Sequence, residues 1–118
     1  MRAYELMIIY RGDLAEDAVD EPLGRALSGL ASLGVEVDPE RVNRWPKRRF
    51  AYEIDHLHEG YYVVIEFVGD GLELSGFERS LRLHDAVVRH KLIRLPDSEA
   101  ARRGLLGTSP DRVAAEAS

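Results

Sequence analysis

Two kinds of apolar spacing alternate along this chain, and their order limits the folds that it can adopt. Strand-like segments, with apolar residues two apart or with extended runs broken by proline, lie at residues 3–10, 35–54, 61–68 and 86–95. Helix-like segments, with apolar residues three and four apart, lie at residues 18–33 and about 72–83. The predicted order is therefore strand, helix, strand, strand, helix, strand.

This order predicts an α+β fold made of two right-handed split β-α-β units, the ferredoxin-like arrangement. The expected sheet has four antiparallel strands in the order 4-1-3-2, with both helices on one face. The third strand is expected at the centre because its apolar run is nearly continuous. The second strand is expected at an edge because Pro46 cannot donate a ladder hydrogen bond.

The first predicted helix carries signals at both ends. Pro22 fits only the first turn of a helix, so Asp17 or Asp20 is the expected N-cap. Gly34 stands where a left-handed residue commonly ends a helix. These signals predict a helix that begins near residue 18 and ends before residue 34.

The second half of the second strand is expected to bury one of its sides. Strand alternation places Phe50, Tyr52 and Ile54 toward the core. The same alternation places Lys47 and Arg49 on the opposite side. This strand is therefore expected to contribute both to the core and to a charged surface.

The length of 118 residues suits one domain followed by a tail. The periodic segments predict a domain over residues 1–95. Residues 96–118 are rich in Ala, Arg, Glu and Ser, so this C-terminal tail is expected to be partly disordered. Within the tail, residues 98–103 are expected to form one or two helical turns, ended by Gly104.

The composition excludes several classes of protein. The chain contains no cysteine, which excludes a disulfide framework and a thiolate metal site. The first residues do not have the pattern of a signal peptide and no apolar run approaches membrane-spanning length, so a cytoplasmic protein is expected. The formal net charge of −5, from 16 basic and 21 acidic side chains, argues against indiscriminate nucleic-acid binding.

The positive charges are concentrated rather than spread evenly. Five basic residues and no acid lie between positions 41 and 49, around Trp45, the only tryptophan. A cationic strand with an aromatic residue suits the recognition of phosphate-rich or acidic partners. The alternative is a solvated edge whose charges prevent edge-to-edge aggregation. The last strand supplies a second basic set on the opposite edge: Arg89, His90, Lys91 and Arg94.

The sheet face turned away from the helices is expected to be apolar for a surface in water. It should present Met7, Ile9, Tyr62, Val64 and Val68 among Glu5 and Glu66. Such a face usually marks an interface with a partner or a second copy, and the alternative is a tail that folds back over it. Tyr62 is the only aromatic residue expected there, and Glu59 replaces the leading basic residue of the RNA-recognition-motif signature. Base stacking is therefore not expected.

No catalytic or metal centre is predicted. His56 and His58 flank Leu57 and could chelate a metal, but no third ligand is evident apart from Glu59. The sequence offers no nucleophile, glycine-rich phosphate loop or carboxylate pair in the arrangement of a pocket. The expectation is a protein without enzyme activity, metal or cofactor.

Four short segments carry a family resemblance that covers about residues 1 to 95. They are MRAYE at 1–5, WPKRRFAY at 45–52, EGYYV at 59–63 and LRLHDAVVR at 81–89. With these motifs the chain resembles the sixth protein of the bacterial small ribosomal subunit, as an actinobacterial-like member or as a diverged paralogue. The second possibility arises because Pro46 and Phe50 stand where the family usually has Gly and Leu.

The resemblance implies the split β-α-β fold and a structural role without enzyme activity. It also implies binding to small-subunit ribosomal RNA, together with the eighteenth protein of that subunit, in the cytoplasmic ribosome. Residues 1–95 would then be an RNA- and protein-binding domain. The alternative function is that of a non-ribosomal paralogue, acting as a ferredoxin-like protein-interaction module or as a homodimer.

Two sets of residues are assigned to these functions. The cations expected to contact RNA phosphates are Arg2, Lys47, Arg48, Arg49, Arg89 and Lys91. The residues expected to bind the protein partner are Met7, Ile9, Trp45, Tyr62 and Val64.

Overall fold

The computed structural model describes residues 1–54 and 56–106. This part of the chain contains five strands and three α-helices. Strands β1 to β5 span Arg2–Arg11, Val42–Arg44, Arg48–Ile54, Leu57–Gly69 and Val87–Arg94. Helices α1 to α3 span Asp20–Ala31, Ser75–Leu83 and Asp97–Arg102, and short 3-10 helices lie at Glu16–Val19 and Pro39–Arg41. The predicted order of elements is confirmed, with the second predicted strand divided into β2 and β3.

The strands form one antiparallel sheet with β1 and β4 at its centre. β1 pairs with β4 on one side, from Arg2 opposite Gly69 to Arg11 opposite Gly60, and with β5 on the other. The outer side of β4 pairs with β3 near its start and with β2 farther along. This is the predicted order 4-1-3-2, and the ferredoxin-like α+β fold is confirmed.

The core lies between the sheet and helices α1 and α2, which cover the same face. Its largest fully buried side chains are Leu6, Ile8, Tyr10, Val19, Leu30, Val63 and Ile65. The helices meet closely where Gly29 of α1 faces Phe77 of α2, because a Cβ at Gly29 would lie 3.1 Å from Phe77 Cδ1. The opposite side of the sheet, called the open face below, is therefore left for other contacts.

Helix α1 begins differently from the expectation. The predicted N-cap at Asp17 or Asp20 is wrong, because α1 continues directly from the preceding 3-10 helix and Val19 precedes it without a side-chain cap. The carboxylate of Asp20 instead binds the guanidinium of Arg44. The end of the helical region agrees with the prediction, since Gly34 has a left-handed φ of 88°.

A one-residue register shift separates β2 from β3. Arg44 stands opposite Val63 of β4, whereas Arg48 stands opposite Gly60, so four steps along one strand match three along the other. The extra residue falls within residues 45–47, beside Pro46, which cannot donate to the ladder. Such a shift exchanges the faces of all the side chains that follow it.

The shift overturns the predicted facing of the second strand. Phe50 is buried, but its ring packs edge-on against Tyr62 on the open face rather than in the core. Tyr52, which was also expected to face inward, is 74% exposed. Lys47 and Arg49, which were expected on the side away from the core, lie instead on the side that the helices cover. The ammonium of Lys47 lies over the ring of the core residue Tyr61, and Arg49 stands opposite Glu59, which has the same parity as Tyr61.

The chain after β5 continues as a folded segment, residues 95–106, called the C-terminal segment below. The helical turns expected at residues 98–103 are confirmed as α3, and Gly104 follows them with a left-handed φ of 74°. The disorder expected farther along the tail concerns residues 107–118, which lie outside the described residues. The division into a domain over 1–95 and a tail over 96–118 remains a prediction.

The C-terminal segment covers one end of the open face. Ala100 of α3 is fully buried in a small cluster with Ala3 of β1 and Leu95. Val68, Leu105 and Leu106 pack against this cluster. The alternative of a tail that folds back over the open face is therefore correct for this end of it.

A cluster of charges joins the C-terminal segment to the sheet. Glu5 and Glu66 stand directly opposite each other on β1 and β4, an arrangement in which like charges repel. Arg103 Nη1 lies 3.3 Å from Glu5 Oε2 and 2.8 Å from Glu66 Oε2. Arg41 Nη1 lies 2.9 Å from Glu66 Oε1, and Arg41 Nη2 donates to the Arg103 carbonyl at 2.8 Å. Arg103 Nε also lies 2.6 Å from Glu99 Oε2 of α3. Arg41 and Arg103 together therefore offset the repulsion between Glu5 and Glu66.

Replacing Arg103 by Ala is expected to lower the free energy of unfolding by about 1–2 kcal/mol, because Glu5 and Glu66 would share one cation instead of two. A thermal melt should show a decrease in Tm of roughly 5–10 °C. Arg102→Ala is the matched control, since Arg102 is exposed and pairs with Glu99 of its own helix. The control should change the free energy by less than about 0.5 kcal/mol. Equal decreases for the two variants would contradict this role of Arg103.

Gly60 is the position at which the sheet has no room for a side chain beneath Phe50. A Cβ at Gly60 would lie 2.7 Å from the Tyr10 carbonyl oxygen and 2.9 Å from Phe50 Cζ. Gly60→Ala is therefore expected to displace Phe50 and to destabilise the protein by about 1–3 kcal/mol. In α2, a Cβ at Gly76 would have no heavy atom within 4 Å, so the control Gly76→Ala should stabilise by about 0.4–1 kcal/mol. Chemical denaturation of both variants checks the opposite signs, and a harmless Gly60→Ala would argue against the close packing.

Candidate nucleic-acid and protein interface

The open face carries two neighbouring rows of apolar residues. In one row, the amide of Trp45 donates to the carbonyl of Tyr62 at 2.9 Å, and Tyr62 stands opposite Ile9. In the next row, Val64 stands opposite Met7. These five residues, called the apolar rows below, are the ones expected to bind a protein partner. The fold brings all five onto one surface.

An aromatic cluster of Trp45, Phe50 and Tyr62 lies at one end of this surface. The rings of Trp45 and Tyr62 are stacked, with centroids 6.0 Å apart and an interplanar angle of 30°. Phe50 meets Tyr62 edge-on, with centroids 6.2 Å apart. Cζ of Arg48 lies 5.1 Å from the centroid of the Trp45 ring. The cluster therefore combines an aromatic surface with a cation.

Phe50 and Arg48 join this cluster only because of the register shift. Sequence alternation alone places Phe50 in the core, and Tyr62 was the only aromatic residue expected on the open face. Pro46 is the signal that could have indicated the change, because it interrupts the pairing of the strand.

The five cations of residues 41–49 divide into two groups. Arg41 pairs with Glu66, and Arg44 binds the Asp20 carboxylate and donates to the Glu16 carbonyl at 3.1 Å. These two arginines hold the fold together. Their charges are therefore partly satisfied within the protein before any partner approaches.

The remaining three cations, Lys47, Arg48 and Arg49, are called the basic edge below. All three are exposed, and none forms an ion pair of 4.0 Å or less within residues 1–54 and 56–106. A hydrogen bond from Arg11 is the main cause that lowers the pKa of Asp13, and Lys47 makes a smaller contribution. The basic edge thus keeps most of its positive charge available to a ligand.

The second basic set, on β5, is split between the two faces of the sheet. Arg89 and Lys91 are exposed, and they pair with Ile9 and Met7, which puts them beside the apolar rows. His90 faces the helices, where its Nε2 lies 2.9 Å from Glu78 Oε1. Only Arg89 and Lys91 therefore extend the positive charge of the open face.

Arg2 lies apart from the other cations that were expected to contact RNA. It stands opposite Gly69, whereas Arg48 stands opposite Gly60 at the other end of β4. Nine residues of strand separate these points, which corresponds to roughly 30 Å. The fold therefore does not bring Arg2 into the same site as the basic edge.

Within the described residues, no group of three His, Asp or Glu side chains could hold a metal ion. His56, one of the two histidines considered as ligands, has a side chain that is 98% exposed and lies 3.3 Å from Glu53. Among the described helices, none is long and apolar enough to cross a membrane. The surface features that stand out are the apolar rows and the cations beside them.

Solved structures include a protein of similar fold from Thermotoga maritima, described as 30S ribosomal protein S6. It superposes with a TM-score of 0.77 at 31% sequence identity, covering 86% of this chain and 94% of that one. Curated relatives include the small ribosomal subunit protein bS6 of Carboxydothermus hydrogenoformans, 40% identical over 94 residues. That match covers 80% of this chain and 96% of the relative.

A further relative, the bS6 protein of Salinispora arenicola, is 39% identical over 94 residues, with 80% of this chain and 96% of the relative covered. The family model described as ribosomal protein S6 matches residues 3–94. This match covers the five strands apart from Arg2 at the start of β1, together with α1 and α2, and it ends before α3. The chain therefore belongs to the ribosomal protein S6 family.

Proposed function

We propose that this protein is a structural constituent of the small ribosomal subunit that binds the RNA of that subunit together with the eighteenth small-subunit protein. Family membership makes it a protein of the small subunit, in the cytoplasmic ribosome. Binding to the RNA and binding to the eighteenth small-subunit protein are the parts that we propose. The proposal assigns no catalytic residue, metal or cofactor.

The basic edge is the observation that carries the RNA-binding part of the proposal. An acidic chain with a net charge of −5 keeps three adjacent cations without close carboxylate partners, while Arg41 and Arg44 beside them are paired. Unpaired arginines and lysines suit phosphate oxygens. The proposed RNA contacts are Arg2, Lys47, Arg48, Arg49, Arg89 and Lys91.

The small number of these cations limits the affinity of the isolated protein for RNA. Each phosphate that a protein neutralises releases counterions, and few contacts give little affinity in physiological salt. The isolated protein is therefore proposed to bind RNA weakly and to gain affinity beside a basic protein partner.

The apolar rows support the second part of the proposal. Met7, Tyr62 and Val64 are half-buried and Trp45 is exposed, whereas Ile9 is buried beneath its neighbours. A contiguous apolar surface on a sheet face usually marks a protein interface. We propose that Met7, Ile9, Trp45, Tyr62 and Val64 contact the protein partner.

Changing Lys47, Arg48 and Arg49 together to Ala should weaken RNA binding by the partner-bound protein. The slope of log affinity against log salt should fall by roughly one unit per lost phosphate contact. Arg25, Arg79 and Arg82 are exposed cations of helices α1 and α2 rather than of the edge strand, and their triple Ala variant removes the same charge as a control. RNA affinity measured over several salt concentrations separates the two variants, with a melt to confirm folding.

An unchanged affinity and slope in the folded basic-edge variant would contradict RNA contact by these residues. Loss of RNA binding in the control as well would show an effect of net charge alone. Sedimentation of a cell lysate tests the alternative, since a paralogue that acts as a free module or homodimer would not migrate with the small subunit.

Val64→Glu is expected to weaken heterodimer formation at least tenfold. Val64 stands between Met7 and Asn43, so a carboxylate there would be buried in the interface with no cation directly opposite it. Leu83→Glu is the matched control: Leu83 is 69% exposed on the helix-covered side. Calorimetric titration with the eighteenth small-subunit protein compares the two. Equal affinities in folded variants would move the protein interface away from the open face.

A further inference from the structure

The aromatic cluster and the basic edge meet at Arg48, so this place offers both an aromatic ring and a cation to a ligand. Trp45 stays 41% exposed although its ring stacks on Tyr62. Phe50 is buried below and supports Tyr62 edge-on. Aromatic rings beside cations are the arrangement on which the bases of single-stranded RNA stack while their phosphates are held.

We propose that the aromatic cluster is a docking site for one unpaired nucleobase of an RNA strand, with Arg48 on an adjoining phosphate. The base would stack on the exposed indole of Trp45. This inference rests on the proposed RNA-binding function and specifies the kind of RNA that it recognises. It also revises the expectation that base stacking is absent, which assumed one aromatic residue on the open face.

Arg48 is suited to exchange one contact for another. Its guanidinium lies over the Trp45 ring, and it has no ion pair with a carboxylate of the described chain that it would need to break. An exposed cation–π contact is weak. A base can therefore replace the guanidinium on the ring, and the freed guanidinium can bind the phosphate beside that base.

The charge around Trp45 favours RNA over protein as the occupant. An apolar protein surface laid over Trp45 would also cover Arg48 and remove its charge from water, which is costly without a carboxylate from the partner. An RNA strand supplies a phosphate beside every base. This inference therefore moves Trp45 and Tyr62 from the protein contacts of the proposed function to RNA. The second apolar row, Met7 and Val64, lies farther from the basic edge and remains available to the protein partner.

Trp45 is the only tryptophan of the chain, so its fluorescence reports on this site alone. At low salt, the protein would be titrated with an oligoadenylate of about ten nucleotides, and separately with an RNA duplex of equal length. The single strand should quench Trp45 and bind more tightly than the duplex, because duplex bases are not free to stack. Quenching by both, with equal affinity, would overturn the proposal.

Variants test the same point with fluorescently labelled RNA, by anisotropy. Trp45→Ala should weaken binding of the single strand roughly tenfold, whereas Trp45→Phe should retain most of the affinity. The control is Tyr52→Ala, which removes an aromatic ring of β3 that is 74% exposed. An unaffected Trp45→Ala variant would overturn base stacking.

The remaining outcomes separate this proposal from the proposed function. If RNA binding depends on the basic edge but Trp45 emission does not change, the stacking site is wrong and the function stands. If the basic-edge variant binds RNA as before, the function itself fails. If the eighteenth small-subunit protein shifts Trp45 emission and RNA then adds no change, a protein occupies the cluster and the stacking proposal is overturned.

Discussion

The backbone around Pro46 is the constraint on which the surface of this protein depends. The proline leaves β4 without a donor at that point, and one extra residue enters the edge strand. Arg48 and Phe50 consequently point to the open face, where they meet Trp45 and Tyr62. Unbroken alternation would have directed both side chains toward the helices. A local irregularity in one edge strand thus decides which residues can meet on the far side of the sheet.

The distribution of charge on the open face differs from that of the whole chain. Its two carboxylates, Glu5 and Glu66, are matched by Arg41 and Arg103 inside the protein. Three further cations of this face, Arg48 at one edge and Arg89 and Lys91 at the other, form no ion pair within the described chain. A molecule that approaches this side of an acidic protein therefore meets a net positive and partly apolar surface. This explains how a negative net charge is compatible with a site for phosphates.

Periodicity was sufficient to predict the order of elements and the sheet because it reports which residues are buried in long, regular strands such as β1 and β4. It failed where geometry is not periodic. The facing of Phe50 depends on a register shift, which a repeat of two cannot reveal. The start of α1 has no side-chain cap, because the carboxylate of Asp20 binds the guanidinium of Arg44 instead of backbone amides at the helix end. The contact of Arg103 with Glu5 joins residues that are 98 positions apart, and no local pattern indicates such a pair.

The contact between Ala100 and Ala3 brings the two ends of the described chain close together. The ammonium of Met1 lies 3.0 Å from Asp70, just beyond β4, and Leu106 packs near Ala3. Both ends of the described chain therefore emerge at the same end of the sheet, roughly 20 Å along β1 from the row that contains Trp45. A dye or surface tether attached near either point would leave the aromatic cluster unobstructed. The two attachment points would also lie on the same side of any complex formed there, which suits distance measurements by energy transfer.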